Sequence, residues 1–115
     1  MIPFRRRLTL DQRRAEFERI RVHRRTRVPV IVEAGTINAA VMDKEKFLVP
    51  FDLTVAQFLF LVRRRTRDLE SSKALFLLIG GEIPLSSVTM SELYDRHASD
   101  DGFLYVVYTT ENTFG

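Results

Sequence analysis

Without cysteine, chemistry in this 115-residue chain would have to come from histidine, carboxylates, hydroxyls, glycine loops or a chain terminus. The absence of Cys excludes a disulfide framework, a thiol nucleophile and Cys-ligated zinc or iron–sulfur sites. The two histidines, His23 and His97, fall in separate expected helices with no partner at metal-ligand or catalytic spacing, so each reads as a helix-end or surface residue. Gly80-Gly81 has neither a following Lys-Ser/Thr nor GxGxxG spacing, and reads as a turn rather than a phosphate loop. Asp100-Asp101 imitates a carboxylate pair, but beside Gly102 it reads as a polar loop ahead of a strand. No Ser-His-Asp arrangement follows from spacing. The last residue of the sequence is a glycine, and an acyl-transfer modifier would need its C-terminal carboxylate on a thin, flexible tail. After the last expected strand, Thr109–Gly115 would form a thin flexible tail, and a glycine tolerates the close backbone approach that another enzyme's active site demands. Taken alone, a terminal glycine is more often incidental. No enzymatic activity, metal or cofactor is expected.

Charge is unevenly placed. Residues 1–27 hold ten Arg against Asp11, Glu16 and Glu18, a net of +7, while residues 28–115 hold eight Lys/Arg against twelve Asp/Glu, a net of −4. Such asymmetry suits nucleic acid, an anionic membrane or an acidic protein partner, although a solvated amphipathic helix is the commoner explanation. A second cluster, Arg63-Arg64-Arg65 with Arg67, closes a later expected helix, where cations are favoured by the macrodipole. The longest apolar runs, Ala74–Ile79 and Phe58–Val62, are six and five residues, far below the ~18–20 needed to span a bilayer. The Arg-rich start has no apolar stretch behind it and is not a secretory signal. A soluble single domain of intracellular type is expected.

The elements that would position these residues are readable from periodicity and caps. A short basic turn or helix is expected at Pro3–Arg7. Thr9 with Gln12 forms a capping box opening a helix from Leu10 to about His23, with Leu10, Phe17 and Ile20 on one face. Strands are expected at Val28–Glu33 and Lys46–Pro50. Thr54 with Gln57 opens a helix through about Arg65. Ala74–Ile79 has the length of a strand buried on both faces, and Gly80-Gly81 would turn it into a short Glu82–Pro84 strand. Thr89 and Glu92 cap a helix ending near His97, and Phe103–Tyr108 is the last strand. After the N-terminal helices this is the β-β-α-β-β-α-β order of a ubiquitin-like β-grasp roll, an α+β sheet with a helix across one face. The expected division is a basic helical extension over residues 1–26 and a ubiquitin-like domain over 27–115, with a flexible tail at 109–115.

Seven segments carry a more specific likeness. They are Arg27-Val28-Pro29-Val30-Ile31, Asp43-Lys44-Glu45-Lys46-Phe47-Leu48-Val49-Pro50, Asp52-Leu53-Thr54-Val55-Ala56-Gln57-Phe58, Ala74-Leu75-Phe76, Thr89-Met90-Ser91-Glu92-Leu93-Tyr94, Asp101-Gly102-Phe103-Leu104-Tyr105 and Glu111-Asn112-Thr113-Phe114-Gly115. In this order, over about residues 10 to 115, the chain resembles the autophagy ubiquitin-like modifiers of the GABARAP and microtubule-associated light-chain type. The resemblance implies that Gly115 is activated as a thioester on partner enzymes and joined to the amine of phosphatidylethanolamine. The sequence closes on that glycine, which implies either a form ready for conjugation or a trimmed chain. A lipid target makes energetic sense, since one ~14-carbon chain holds a membrane only marginally whereas two anchor stably, at ~0.8 kcal/mol per buried methylene.

The resemblance also implies docking of aromatic-x-x-aliphatic motifs, with acidic flanks, as an added strand at a sheet edge. Positions three apart on an extended strand point to opposite sides, so the receiver needs one pocket on each side of its edge strand. Lys46 and Leu48 share one face of their strand, and Phe47 and Val49 the other. By resemblance the aromatic pocket is Glu16, Ile20, Pro29, Ile31, Lys46, Leu48 and Phe103. The aliphatic pocket is Phe47, Val49, Pro50, Leu53, Phe58 and Leu61, though Phe58 and Leu61 also read as core. Lys46 and Arg65, with Arg27, would meet the acidic flanks. Several features depart from the family pattern. The loop Ala34–Met42 is short and poor in charge, Phe47 and Phe51 stand where Tyr or a small or polar residue is common, and Phe17 adds apolar surface to the N-terminal helix. The Arg density exceeds what the pockets need.

Expected partners are the activating and conjugating enzymes of autophagy, motif-bearing cargo receptors and, once conjugated, a phosphatidylethanolamine membrane. The unconjugated protein is expected to be a cytoplasmic monomer. One rival is a non-conjugated adaptor linking vesicles to microtubules or other acidic partners through residues 5–27. Another is a nucleic-acid module, which would show steeply salt-dependent affinity but lacks the usual aromatic stacking surface. No nucleic acid partner is expected.

Overall fold

The computed structural model describes residues 3–23, 26–35, 42, 44–66 and 74–110. The elements are α1 (Phe4–Arg7), α2 (Leu10–His23), β1 (Arg27–Ala34), β2 (Lys46–Pro50), α3 (Val55–Arg64), β3 (Phe76–Leu78), α4 (Met90–His97) and β4 (Leu104–Thr109). One mixed sheet has the order β2-β1-β4-β3. β1 and β4 run parallel at its centre, Val30 opposite Leu104, while β2 and β3 add antiparallel on the two outer sides. The α+β, ubiquitin-like architecture expected from the element order is the one observed.

Local chemistry sets the helix starts. At α2 the Thr9 N–H donates to Gln12 Oε1 (2.8 Å), and the Gln12 N–H donates to Thr9 Oγ1 (3.1 Å). Thr54 and Gln57 repeat the reciprocal pair at α3, satisfying two otherwise orphaned donors at each end. Alternation along the strands then divides the apolar residues between two faces. Val28, Val30 and Val32 join Phe47, Val49, Leu77, Leu104 and Val106 in the main core, closed by Val55, Phe58 and Val62 of α3. On the opposite face Phe4, Ile31, Phe103 and Tyr105 form a second buried cluster, covered by Leu8, Phe17 and Ile20. The N-terminal helices are therefore packed onto the sheet.

Three expectations change. Leu10 is 36% exposed, and Leu8 supplies the apolar contact at that end of α2 instead. The expected Glu82–Pro84 strand is a single bridge: Ile79 and Glu82 exchange both backbone hydrogen bonds around Gly80 (φ 61°) and Gly81 (φ 81°). Both central residues have the positive φ of a tight hairpin turn, but Pro84 has no N–H with which to continue a ladder. The Ala74–Ile79 run is buried on one face only, through Leu75, Leu77 and Ile79. Phe76 and Leu78 are half-buried, because the second cluster draws its strand residues from β1 and β4 and does not reach β3.

Candidate docking site

β2 is an outer strand, and among the described residues its strand partner is β1. The Val32 N–H donates to Glu45 O (2.8 Å), so by antiparallel alternation Phe47 and Val49 turn their main-chain groups to β1. The N–H and C=O of Lys46 and Leu48 then point outward. Arg27 Nη1 reaches the Leu48 carbonyl at 3.4 Å, a long contact lying along this edge.

On the α2 side, Lys46 stands opposite Ile31 and Leu48 opposite Pro29. Ile31 and Phe103 are 0% and 1% exposed, with Ile20 packed against them. Glu16 Oε1 accepts from Lys46 Nζ at 2.6 Å, which ties α2 to the edge strand across this site. Glu16 also accepts from Arg19. The hydrogen bonds from Arg19 and then Lys46 hold the Glu16 carboxyl below its ordinary value. A depressed carboxylate contributes stability at neutral pH that is lost as pH falls through its folded value, so the bridge persists through the physiological range. Of the seven residues expected on this side, Glu16 and Ile20 come from α2, Pro29 and Ile31 from β1, Lys46 and Leu48 from β2 and Phe103 from the residue ahead of β4, with Leu48 also lining the groove on the α3 side.

On the α3 side a groove of about 400 Å³ is lined by Lys44, Phe47, Leu48, Val49, Leu61, Arg64 and Arg65. Lys44 Nζ lies 5.0 Å over the Phe47 ring, and Arg64 lies 5.9 Å over the exposed Phe60. The groove thus has an apolar floor and a cationic rim. Of the residues expected here, Phe47, Val49 and Leu61 line this groove together with Arg65, the expected acidic-flank contact. Phe58 is 0% exposed, edge-on to Phe47 at 5.6 Å, and belongs to the core beneath the groove. The exposed Pro50 and half-buried Leu53 are not among its lining residues. Lys44 and Arg64 were not anticipated. The signal was helical spacing, since Leu61, Arg64 and Arg65 share a face at i, i+3 and i+4.

Three arginines of the basic N-terminus pair with carboxylates of the domain. Arg5 pairs with Glu33 and stacks 4.0 Å over Tyr105, Arg7 pairs with Glu45, and Arg13 pairs with Asp101 at 3.2 Å. The reading of Asp101 as a polar loop residue is corrected here. It is 1% exposed and accepts from the Phe103 N–H (2.9 Å), from Arg13 and from the Tyr105 hydroxyl. Burial, then the bond to Asp101, raises the Tyr105 hydroxyl well above its ordinary value. Asp101→Ala strands a half-satisfied network and is expected to cost about 3 kcal/mol of stability, measured by urea unfolding. His97 lies against the Gly80 turn, and the His23 side chain and Gly115 lie outside the described residues. No described helix is long and apolar enough to cross a membrane.

A roll of this topology, with helices laid across the sheet and an outer strand flanked by apolar sites, is the ubiquitin-like class. Residues 12–115 match the family model described as "Autophagy protein Atg8 ubiquitin like". The chain is 45% identical over 106 residues to autophagy-related protein 8 of Coccidioides immitis, covering 91% of this chain and 90% of that one. It is 47% identical over 107 residues to autophagy-related protein 8b of Arabidopsis thaliana, covering 92% and 87%. The chain belongs to the Atg8 family of autophagy ubiquitin-like proteins, whose members are modifiers without enzymatic activity.

Proposed function

We propose that this protein is conjugated through Gly115 to phosphatidylethanolamine on autophagosomal membranes and there docks aromatic-x-x-aliphatic segments of cargo receptors along β2. In the conjugation, the ethanolamine amine attacks the Gly115 thioester, an amide forms, and the partner enzyme's thiolate leaves. The docked segment adds a strand to the outward groups of Lys46 and Leu48. Its aromatic residue turns toward Ile20, Ile31 and Phe103, and its aliphatic residue toward Phe47, Val49 and Leu61, with Pro50, Leu53 and Phe58 supporting that side. Acidic flanks meet Lys46, Arg27 and Arg65. The observation that carries the docking reading is the edge strand with an open groove, cations at its rim, on one face and a buried apolar cluster on the other. The unconjugated form is cytoplasmic. The adaptor alternative is weaker, because Arg5, Arg7, Arg13 and Arg19 are already ion-paired within the chain.

Titrating the labelled protein with a 12-residue motif peptide tests the docking. The amide signals of Lys46 and Leu48 are expected to shift most, while those of β3 stay in place. Shifts confined to α4 or β3 would refute strand addition at β2.

A further inference from the structure

Phe17 is an aromatic ring that neither the motif contacts nor the ion pairs require. It lies flat on Gly102, where a Cβ would fall 2.6–2.7 Å from three of its ring carbons. Gly102 also has φ 96°, so both conformation and contact reserve the position for glycine. The same ring meets Phe103 edge-on at 5.8 Å, and Phe4 meets Phe103 edge-on at 5.4 Å. Phe103, which the aromatic site draws from the residue just ahead of β4, therefore meets two rings. Glu16 and Ile20, which α2 contributes to that site, flank Phe17 within one helical turn.

A close-packed seam transmits size. The thickness of the Phe17 ring limits how near α2 comes to residues 102–103, and it removes the space into which Phe103 would recede before a bulky guest. We infer that Phe17 sets the depth of the aromatic site and selects phenylalanine or tyrosine over tryptophan as the motif's aromatic residue. This rests on the docking reading and names the ligand class of that same site.

The test uses two peptides identical except for Phe or Trp at the aromatic position, titrated calorimetrically into the full chain and into its Phe17→Ala and Phe17→Leu variants. The parent is expected to bind the Phe peptide at least as well as the Trp peptide. Phe17→Ala shifts the ratio toward Trp by at least about tenfold, the low end of what even one methylene of size difference in an apolar pocket produces. Phe17→Leu, which keeps the seam filled without a ring, shifts it in the same direction by less, and serves alone if the alanine variant does not fold. A parent preference for Trp, or a ratio constant within about twofold while both peptides bind, overturns the inference. Failure of both peptides to bind any form, the parent included, refutes the docking reading and takes the inference with it by a different signature.

Discussion

Gly115→Ala is expected to leave the protein wholly in the soluble fraction of starved cells, where the parent chain divides between soluble and membrane fractions. The physical reason is local. An alanine at the acyl position places a methyl group beside the carbonyl carbon that the partner enzymes must approach, and removes the backbone freedom that lets the tail thread an active site. The last strand ends at Thr109, which is 2% exposed and part of the sheet. Circular dichroism of the variant should match the parent. On the proposed reading the two acyl chains of the conjugated phospholipid would be the anchor, and losing them would mean losing durable attachment. A variant that kept the parent's membrane share would instead support the adaptor reading.

The second large effect is at β2. Leu48→Ala combined with Leu61→Ala truncates two half-buried residues that line the groove beside the edge strand, Leu61 also packing against the main core. Each resembles a docking hot spot, for which truncation costs about 2 kcal/mol or roughly 30-fold in Kd. Because the two residues line one groove their effects are not independent, and the double variant is expected to weaken motif binding by at least about 30-fold. Calorimetry with the motif peptide checks this, and raised salt should weaken the parent complex as the cations at the groove's rim are screened. A double variant within tenfold of the parent would mean that the motif docks elsewhere.

The parts of this fold legible in sequence are those written in short-range chemistry. The Thr9/Gln12 and Thr54/Gln57 boxes announce α2 and α3 because donor and acceptor lie three residues apart. The two faces of β2 are legible because alternation needs no tertiary partner. The arginines were opaque for the opposite reason. Their carboxylates lie 28 residues away for Arg5, 38 for Arg7 and 88 for Arg13, so three arginines of a segment read as a solvated or partner-seeking face are tied to the rest of the domain. Asp101 was opaque because only the fold brings Arg13 and Tyr105 to it. Phe58 combined core and pocket signals, and the packing puts it wholly in the core. The groove's Arg64 stood in a run whose helix-dipole explanation was sufficient by itself.

The central claim is covalent, and mass reads it most directly. Intact-mass analysis of the protein recovered from membranes of starved source cells, beside its cytosolic form, is the decisive comparison. The account predicts a membrane form heavier by one phosphatidylethanolamine less one water, with fragmentation placing the adduct on Gly115. An unmodified mass in both fractions would contradict it.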